Sequence, residues 1–415
     1  MPQERSLTVA SRRWLCEAFR FKRGTAAATR AAMNRVSFMV LPWDVFAVKD
    51  ATKMALSLKP KEATQLDLVA LGETMIRLSP QGHGRLEFSN LLEVWVGGGE
   101  YNVAYALSRL GLRTGWASRL VDNPLGHLIL NHARAVGVDC SAVHVAKYDG
   151  VGTADRIGLN WTEVGTGVRG SVTMYDRGHS AAMNMKPGDV DFDNLFAKRG
   201  VRWLHTGGIF TSLSDGTAAV VKEALVKAKS AGTITSYDLN FRSKLWSAKK
   251  AQDTTKDIIP YVDCLIGNEE DFQKVLGFEV EGVDAENLGE LDTSAYKKMV
   301  EKVVAKYPNI KVVGTTLREV KSGLINNWSA ILWHDGKFYE SRVFKDLEIE
   351  DRVGGGDGFA SGFAYGFLTG MTPEECVDLG AAHGALLQTT RGDTSQITKE
   401  ELMHVFKGGS ARIKR

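Results

Sequence analysis

From Leu66 onward the chain alternates short apolar runs with amphipathic ones, and this alternation limits the fold more tightly than any other feature of the sequence. "LDLVALG" reads as a buried strand. "EYNVAYALSRLG" puts Val103, Ala106, Leu107 and Leu110 on one helical face and stops at Gly111. "TGWASRL" is strand-like again, and "NPLGHLILNHARAVG" opens on an Asn-Pro start signal and ends at Gly137. Strand, helix, strand, helix is the pattern of βαβ units, whose parallel strands are covered by helices on both faces. The order recurs in "VRWLHTG" before a helix near 215–231, in "TITSYDLN", in "VDCLIGN" before "EEDFQKVLG", and in "SAYKKMVEKVVAKYP" before "IKVVGTT". Two stretches interrupt it, about 74–96 and 150–178, where "VTMYDRG" alternates as an antiparallel strand does. They predict a small inserted sheet able to cover a site at the strand ends. "SAILWHDGKFYESRV" carries the Asp-Gly signal of a hairpin turn.

Composition narrows the class without naming a function. With 44% apolar and 24% charged residues, 415 residues suffice for one large or two medium globular domains. Cys16, Cys140, Cys264 and Cys376 form no CxxC pair, which speaks against a zinc ribbon or a disulfide scaffold and for a reducing, cytoplasmic setting. No apolar run approaches the roughly 20 residues of a membrane helix. The net charge of +3 is uneven: residues 1–65 hold 12 Lys and Arg against 5 Asp and Glu, which leaves 40 against 44 for the rest. That Arg- and Ala-rich segment has three readings, namely an organellar transit peptide, an over-extended start with Met33, Met39 or Met54 as initiator, or a basic surface arm. It gives no ground for nucleic-acid binding.

Several motif matches fail on context. "GTGVRG" at 165–170 has the spacing of a dinucleotide loop, but a strand-like run follows where a helix is required. "DVDFD" at 189–193 lacks the glycine and distal acid of a calcium loop. A P-loop is absent, and the nine histidines show no metal-ligand spacing, so His205 and His383 read as core residues. Trp95, Trp203, Trp246 and Trp333 read as packing surface.

The stretch "IEDRVGGGDGFASGFAYGFLTG", 349–370, is different. Gly354, Gly355 and Gly356 stand where an extended run becomes a helix, and Gly358, Gly362, Gly366 and Gly370 recur four apart as a flat ridge that would let the helix lie close to a sheet. One reading is a tight turn and close packing. The other is that the glycines aim backbone N–H groups into a common cavity at a helix N-terminus, an anion hole, with Asp357 beside it, kept ionised by the helix end. A carboxylate beside an anion hole is what phosphoryl transfer to an alcohol requires, since the acid takes the hydroxyl proton while the amides hold the moving charge.

Asp351-Arg352-Val353-Gly354-Gly355-Gly356-Asp357 resembles the C-terminal D-[TS]-x-G-A-G-D signature of the ribokinase-like (PfkB) sugar kinases, departing from it at Arg352, Gly355 and, next in line, Gly358. "WVGGGEYNVAYALSRLG" is similar to the family's N-terminal G-G-x-x-x-N-x-A motif, and "GNEEDF" to its N-x-x-E motif with Asp271 for the last Glu. "GGGEYN" with Glu100, "MYDRGHSAA", "DLNFRSKLW", "TTLREVKSG", "NNWSAIL" and "QTTRGD" look most like 2-keto-3-deoxygluconate kinases. The resemblance spans residues 66 to about 405.

The resemblance implies a three-layer α/β/α sandwich over 66–411 with a mainly parallel sheet and a small β-sheet lid. It implies ATP and Mg2+, leaves a monovalent cation open, and makes a dimer through the lid the expected assembly. Asp357 would be the base and Gly354 to Gly356 the anion hole. Gly98, Gly99, Asn102, Tyr175, Arg177, Asn240 and Arg242 would bind a sugar acid, with an arginine suited to its carboxylate. ATP would meet Asn268, Thr315, Leu317, Gly323, Gly354 and Gly356, and Mg2+ would be held through water near Asn268 and Asp271. Arg177 and Arg242 also read as ion-paired or solvated structural residues. Two rival functions stay open: a kinase for a neutral sugar such as fructose or ribose, and a catalytically weak family-like binding protein, suggested by the departures at Arg352, Gly355 and Asp271.

Overall fold

β1 (Leu66–Leu71) is buried along its whole length, as a central parallel strand must be. Leu68 and Ala70 point into one apolar cluster while Val69 and Leu71 point into another, so the core lies on both faces of the sheet. This is a computed structural model that describes residues 56–278 and 293–409. The readings of residues 1–55, and the end of the kinase region beyond 409, lie outside the described residues.

The main sheet has ten strands. β4 (Thr114–Val121) and β5 (Asp139–Ala146) extend it on one side of β1, all parallel. On the other side lie β8 (Val201–Gly207), β9 (Ile234–Asp238), β10 (Cys264–Ile266) and β11 (Val312–Val320), also parallel. β12 (Ile325–His334), β13 (Lys337–Glu340) and β14 (Phe344–Glu348) close this edge antiparallel. The β12–β13 turn has Asp335 at φ 51° and Gly336 at φ 74°, the two positive values that an Asp-Gly hairpin turn uses. The strand order changes direction between β1 and β8, so a crevice opens at the carboxyl ends of the strands there.

Both interrupting stretches supply a second sheet of four strands, β2 (Met75–Pro80), β3 (Leu92–Gly97), β6 (Leu159–Glu163) and β7 (Val172–Asp176). It is mixed, because β2 pairs parallel with β6 and antiparallel with β3. The helices sort to the two faces of the main sheet. Residues of Gly99–Arg109, Pro124–Ala135, Gly355–Leu368 and Pro373–Leu387 belong to one apolar cluster, and those of Asp215–Ser230, Glu269–Leu276 and Thr293–Lys306 to the other. No helix among the described residues is long and apolar enough to cross a membrane.

The glycine ridge packs differently from the expectation: it meets the helix Pro373–Leu387, not a sheet. A Cβ at Gly362 would stand 2.8 Å from the Leu379 carbonyl oxygen, and one at Gly358 2.9 Å from Gly384 Cα. Glycines face each other across a helix crossing, and only that lets two backbones approach so closely. Gly362→Ala is expected to destabilise the protein by about 1–2 kcal/mol, since overpacking against rigid backbone (~1–3 kcal/mol) outweighs a helix-propensity gain of ~1 kcal/mol. Urea unfolding checks this, and a variant as stable as the parent would refute the close-crossing argument.

Candidate active site

A cleft of about 480 Å³ lies between the small sheet and the carboxyl ends of the main-sheet strands. The helix Gly355–Leu368 begins at its floor. Gly354 caps it at φ 88°, a left-handed conformation natural to glycine, and offers no capping side chain. The first-turn N–H groups, which have no partner within a helix, are therefore left for an anion. At Gly356 a Cβ would meet nothing within 4 Å, so the cradle is open to the cleft there.

Asp357 stands on the third residue of this helix, with its carboxyl opening into the cleft. Asn102 Nδ2 donates to its Oδ2 at 2.7 Å, and Asn102 Oδ1 accepts from Gly98 N at 3.1 Å. Asn102, expected to meet sugar hydroxyls, thus fixes the orientation of the acid. The expectation that the helix end keeps Asp357 ionised is offset by burial, which lifts its pKa to about 7; donation from Asn102 pulls it down, Asp393 pushes it up, and Arg242 pulls it down. A base poised there is half available at neutral pH. Asn102→Ala removes a hydrogen bond to the charged form. Its kcat is expected to fall about tenfold and the acid limb of its pH profile to move above 7. A lower kcat with an unmoved profile would reject this role.

Two more acids crowd the floor. Burial raises Glu100 to about 7, and lifts Asp238 well above the usual carboxylate range with help from Asp271 and Asp357. Gly99 leaves the space between Asp357 Oδ1 and Asn240 Nδ2 free, since a Cβ there would lie 3.7 and 3.9 Å from them. Tyr175 and Asn160 from the small sheet line the same region, with Arg177.

The two arginines expected to meet a carboxylate have different fates. Arg177 is buried, donates to Glu73 Oε2 and lies over the Tyr175 ring, so it is an ion-paired residue that shapes the wall. Arg242 is exposed to the cleft and hydrogen-bonds only its neighbour's carbonyl, Phe241 O, at 2.9 Å. It forms no ion pair among the described residues, and its charge favours the ionised forms of Asp357, Asp238 and Asp271 from across the cleft.

Asn268 and Asp271 form a reciprocal helix cap. Asn268 Oδ1 accepts from Asp271 N at 3.0 Å, and Asp271 accepts from Asn268 N at 2.9 Å and from Phe241 N at 2.7 Å. Burial raises Asp271 to about 6 against these hydrogen bonds. No group of three or more His, Cys, Asp or Glu among the described residues is placed to hold a metal ion. Mg2+ bound mainly by phosphate oxygens and waters still fits, because Asp271 disfavours charge on the buried Asp238 and a cation beside them would offset that repulsion.

On β11 the strand period separates the expected nucleotide contacts from the cleft. Thr315 is buried and bonds Tyr296 Oη and Gly267 O, and Leu317 lies in the core. Thr316 and Arg318, on the opposite face, reach the cleft. Gly323 lies off the cleft wall and donates to Gly167 O at 2.7 Å, which ties it to the loop of the small sheet. Arg318 has no ion-pair partner among the described residues, and Arg352 bonds only the carbonyls of Ser322 and Gly323 and, at 3.5 Å, Asn326 Oδ1. Desolvation at the cleft wall and the neighbouring Arg352 charge lower the pKa of Arg318, and burial lowers that of Arg352. Neither Arg318 nor Thr316 was singled out from sequence; alternation along "GTTLREV" was the signal available. His205 and His383 are buried and lowered to about 4, in line with a core role.

The pfkB family carbohydrate kinase model matches residues 65–400. The 2-dehydro-3-deoxygalactonokinase of Haloferax volcanii is 33% identical over 84% of this chain and 99% of its own length. The 2-dehydro-3-deoxygluconokinase of Thermoproteus tenax is 30% identical over 82% of this chain and 93% of its own. The crystal structure of the 2-dehydro-3-deoxygluconokinase of Thermotoga maritima superposes with a TM-score of 0.77 at 36% identity, covering 83% of this chain and 99% of that one.

Proposed function

This chain belongs to the pfkB family of carbohydrate kinases, and we propose that within it the chain transfers the γ-phosphoryl group of ATP to the primary hydroxyl of 2-keto-3-deoxygluconate. The observation that carries this is the pairing of an open glycine cradle with an acid that Asn102 orients and burial lifts to a pKa of about 7. Asp357 takes the hydroxyl proton as the alcohol oxygen bonds to the γ-phosphorus and the bond to the β,γ-bridging oxygen breaks, releasing ADP. The N–H groups of Gly354 to Gly356 hold charge on the moving group. Arg318 and Arg352 meet the ATP phosphates, and Arg242 the carboxylate of the sugar acid. Asp238, Asp271 and Glu269 line the cleft where Mg2+ would be held through water, and the ion would neutralise phosphate charge there. The small sheet excludes water from the transfer.

Two further readings rest on the small sheet and the thiols. Val94, Leu78, Trp161 and Met174 stand in register across the sheet, with Val94 52% and Met174 54% exposed, and this row supports a dimer formed through the lid. The three described cysteines are free, which supports a reducing, cytoplasmic setting.

ADP release measured across a panel of sugars and sugar acids tests the function. Highest kcat/KM for 2-keto-3-deoxygluconate is expected, with its C4 epimer included because one relative is named for it. Preference for fructose or ribose would replace this reading with the neutral-sugar one, and no turnover with any acceptor would leave a binding protein.

A further inference from the structure

Behind the glycine cradle lies a charge cluster that the proposed transfer does not use. Arg77, from the small-sheet strand β2, is 1% exposed. Its Nη2 donates to Asp351 Oδ2 at 2.6 Å, its Nη1 to Asp393 Oδ1 at 3.2 Å, and its Nε to Ser79 Oγ at 3.0 Å. Asp351 is 1% and Asp393 4% exposed. Asp351 precedes Gly354 by three residues. Asp393 approaches the same glycine from a separate loop, its carbonyl oxygen 2.8 Å from where a Cβ at Gly354 would stand. The guanidinium therefore joins the two segments that hold the cradle's first residue, and both carboxylates would be buried and uncompensated without it.

The family resemblance leaves a monovalent cation open beside this turn. The residues present do not fit one: of the two carboxylates only Asp393 Oδ2 lacks a hydrogen bond, and a single oxygen does not make a cation site. Asp351 Oδ2 is taken by Arg77 and Gly392 N, and Asp351 Oδ1 accepts from Val353 N at 3.2 Å. A potassium ion at Asp351 would have to displace a buried, doubly paired guanidinium. We infer that Arg77 is a built-in replacement for a monovalent cation at the anion cradle, and that through it the small sheet is fastened to the turn that carries the transferred charge. Arg77 touches no reacting atom, so it is a positioning residue. The inference rests on the kinase reading for its catalytic consequence only.

The test compares salts at fixed ionic strength. With 2-keto-3-deoxygluconate and MgATP, turnover of the parent enzyme should agree within about twofold in potassium, sodium or tetramethylammonium chloride, because screening is the same at equal ionic strength. Arg77→Met should lose up to about 100-fold in kcat, the cost of a small misplacement of the cradle, and potassium but not tetramethylammonium should restore part of it. Potassium should also raise the melting temperature of Arg77→Met and leave that of the parent unchanged, a readout independent of turnover. Activation of the parent by potassium well beyond twofold, or an Arg77→Met enzyme with parental kcat, would overturn the inference. If Arg77→Met does not fold, Arg77→Lys decides: it keeps the charge but not the forked pairing, so reduced kcat at near-parental melting temperature supports the inference, and parental kcat ends it. If no acceptor is phosphorylated, the function reading fails, while the melting comparison between salts still decides this one.

Discussion

Replacing Asp357 by Asn is expected to lower kcat by about 10³-fold, within the range that removal of a general base produces, while the binding of sugar acid and ATP changes by no more than a few-fold. The amide keeps the shape of the carboxyl and its place beside Asn102 but cannot take a proton at neutral pH. In the parent enzyme the same group sets the acid limb: below about pH 7 Asp357 is protonated, and kcat should fall tenfold for each further unit. Stability should move the other way. Asp357 has a folded pKa raised above its unfolded value of 3.8, so the folded state binds more protons than the unfolded one between those values, and the group's contribution to stability declines as pH rises from about 4 through 7. The Asn variant escapes that decline and should melt higher than the parent at pH 8. Single-turnover rates, calorimetric binding and melting curves give the three readings. Near-parental kcat would reject the base, and a variant melting lower at pH 8 would reject the account of its burial.

Arg242→Ala should cost about 100- to 1,000-fold in kcat/KM for a sugar acid, the loss expected when a desolvated carboxylate keeps its place but loses its partner (~3–4 kcal/mol). For any neutral sugar the enzyme accepts, the change should stay within a few-fold. The two arginines differ: Arg177 is already ion-paired with Glu73, while Arg242 is exposed to the same cleft and forms no ion pair among the described residues. Equal losses for acids and neutral sugars would mean that Arg242 shapes the cleft without reading the carboxylate. A large effect of Arg177→Ala confined to sugar acids would move that role to Arg177.

What could be read from the sequence was whatever short-range chemistry decides. Apolar period and stop signals placed the strands from Leu66 and the helix 99–109. Asp335-Gly336 marked its hairpin, and the Gly354–Gly356 run before Asp357 marked a helix N-terminus that wants an anion. These follow from backbone sterics and local hydrogen bonding, which a few neighbouring residues determine.

Which partner a long polar side chain takes was decided by the tertiary structure alone. Arg77 reads as one more residue of "MIRLSP", and only the return of the chain at Asp351 and Asp393 makes it a buried cation. Asn102 reads from sequence as a sugar contact, and only the fold adds that residue 357, far along the chain, lies within 2.7 Å of it. Thr315 and Thr316 differ by one place in a strand, and which of the two meets the cleft depends on the face the sheet turns toward its helices. The pKa of Asp357 belongs to the same class, because the desolvation that raises it depends on the burial that tertiary packing imposes.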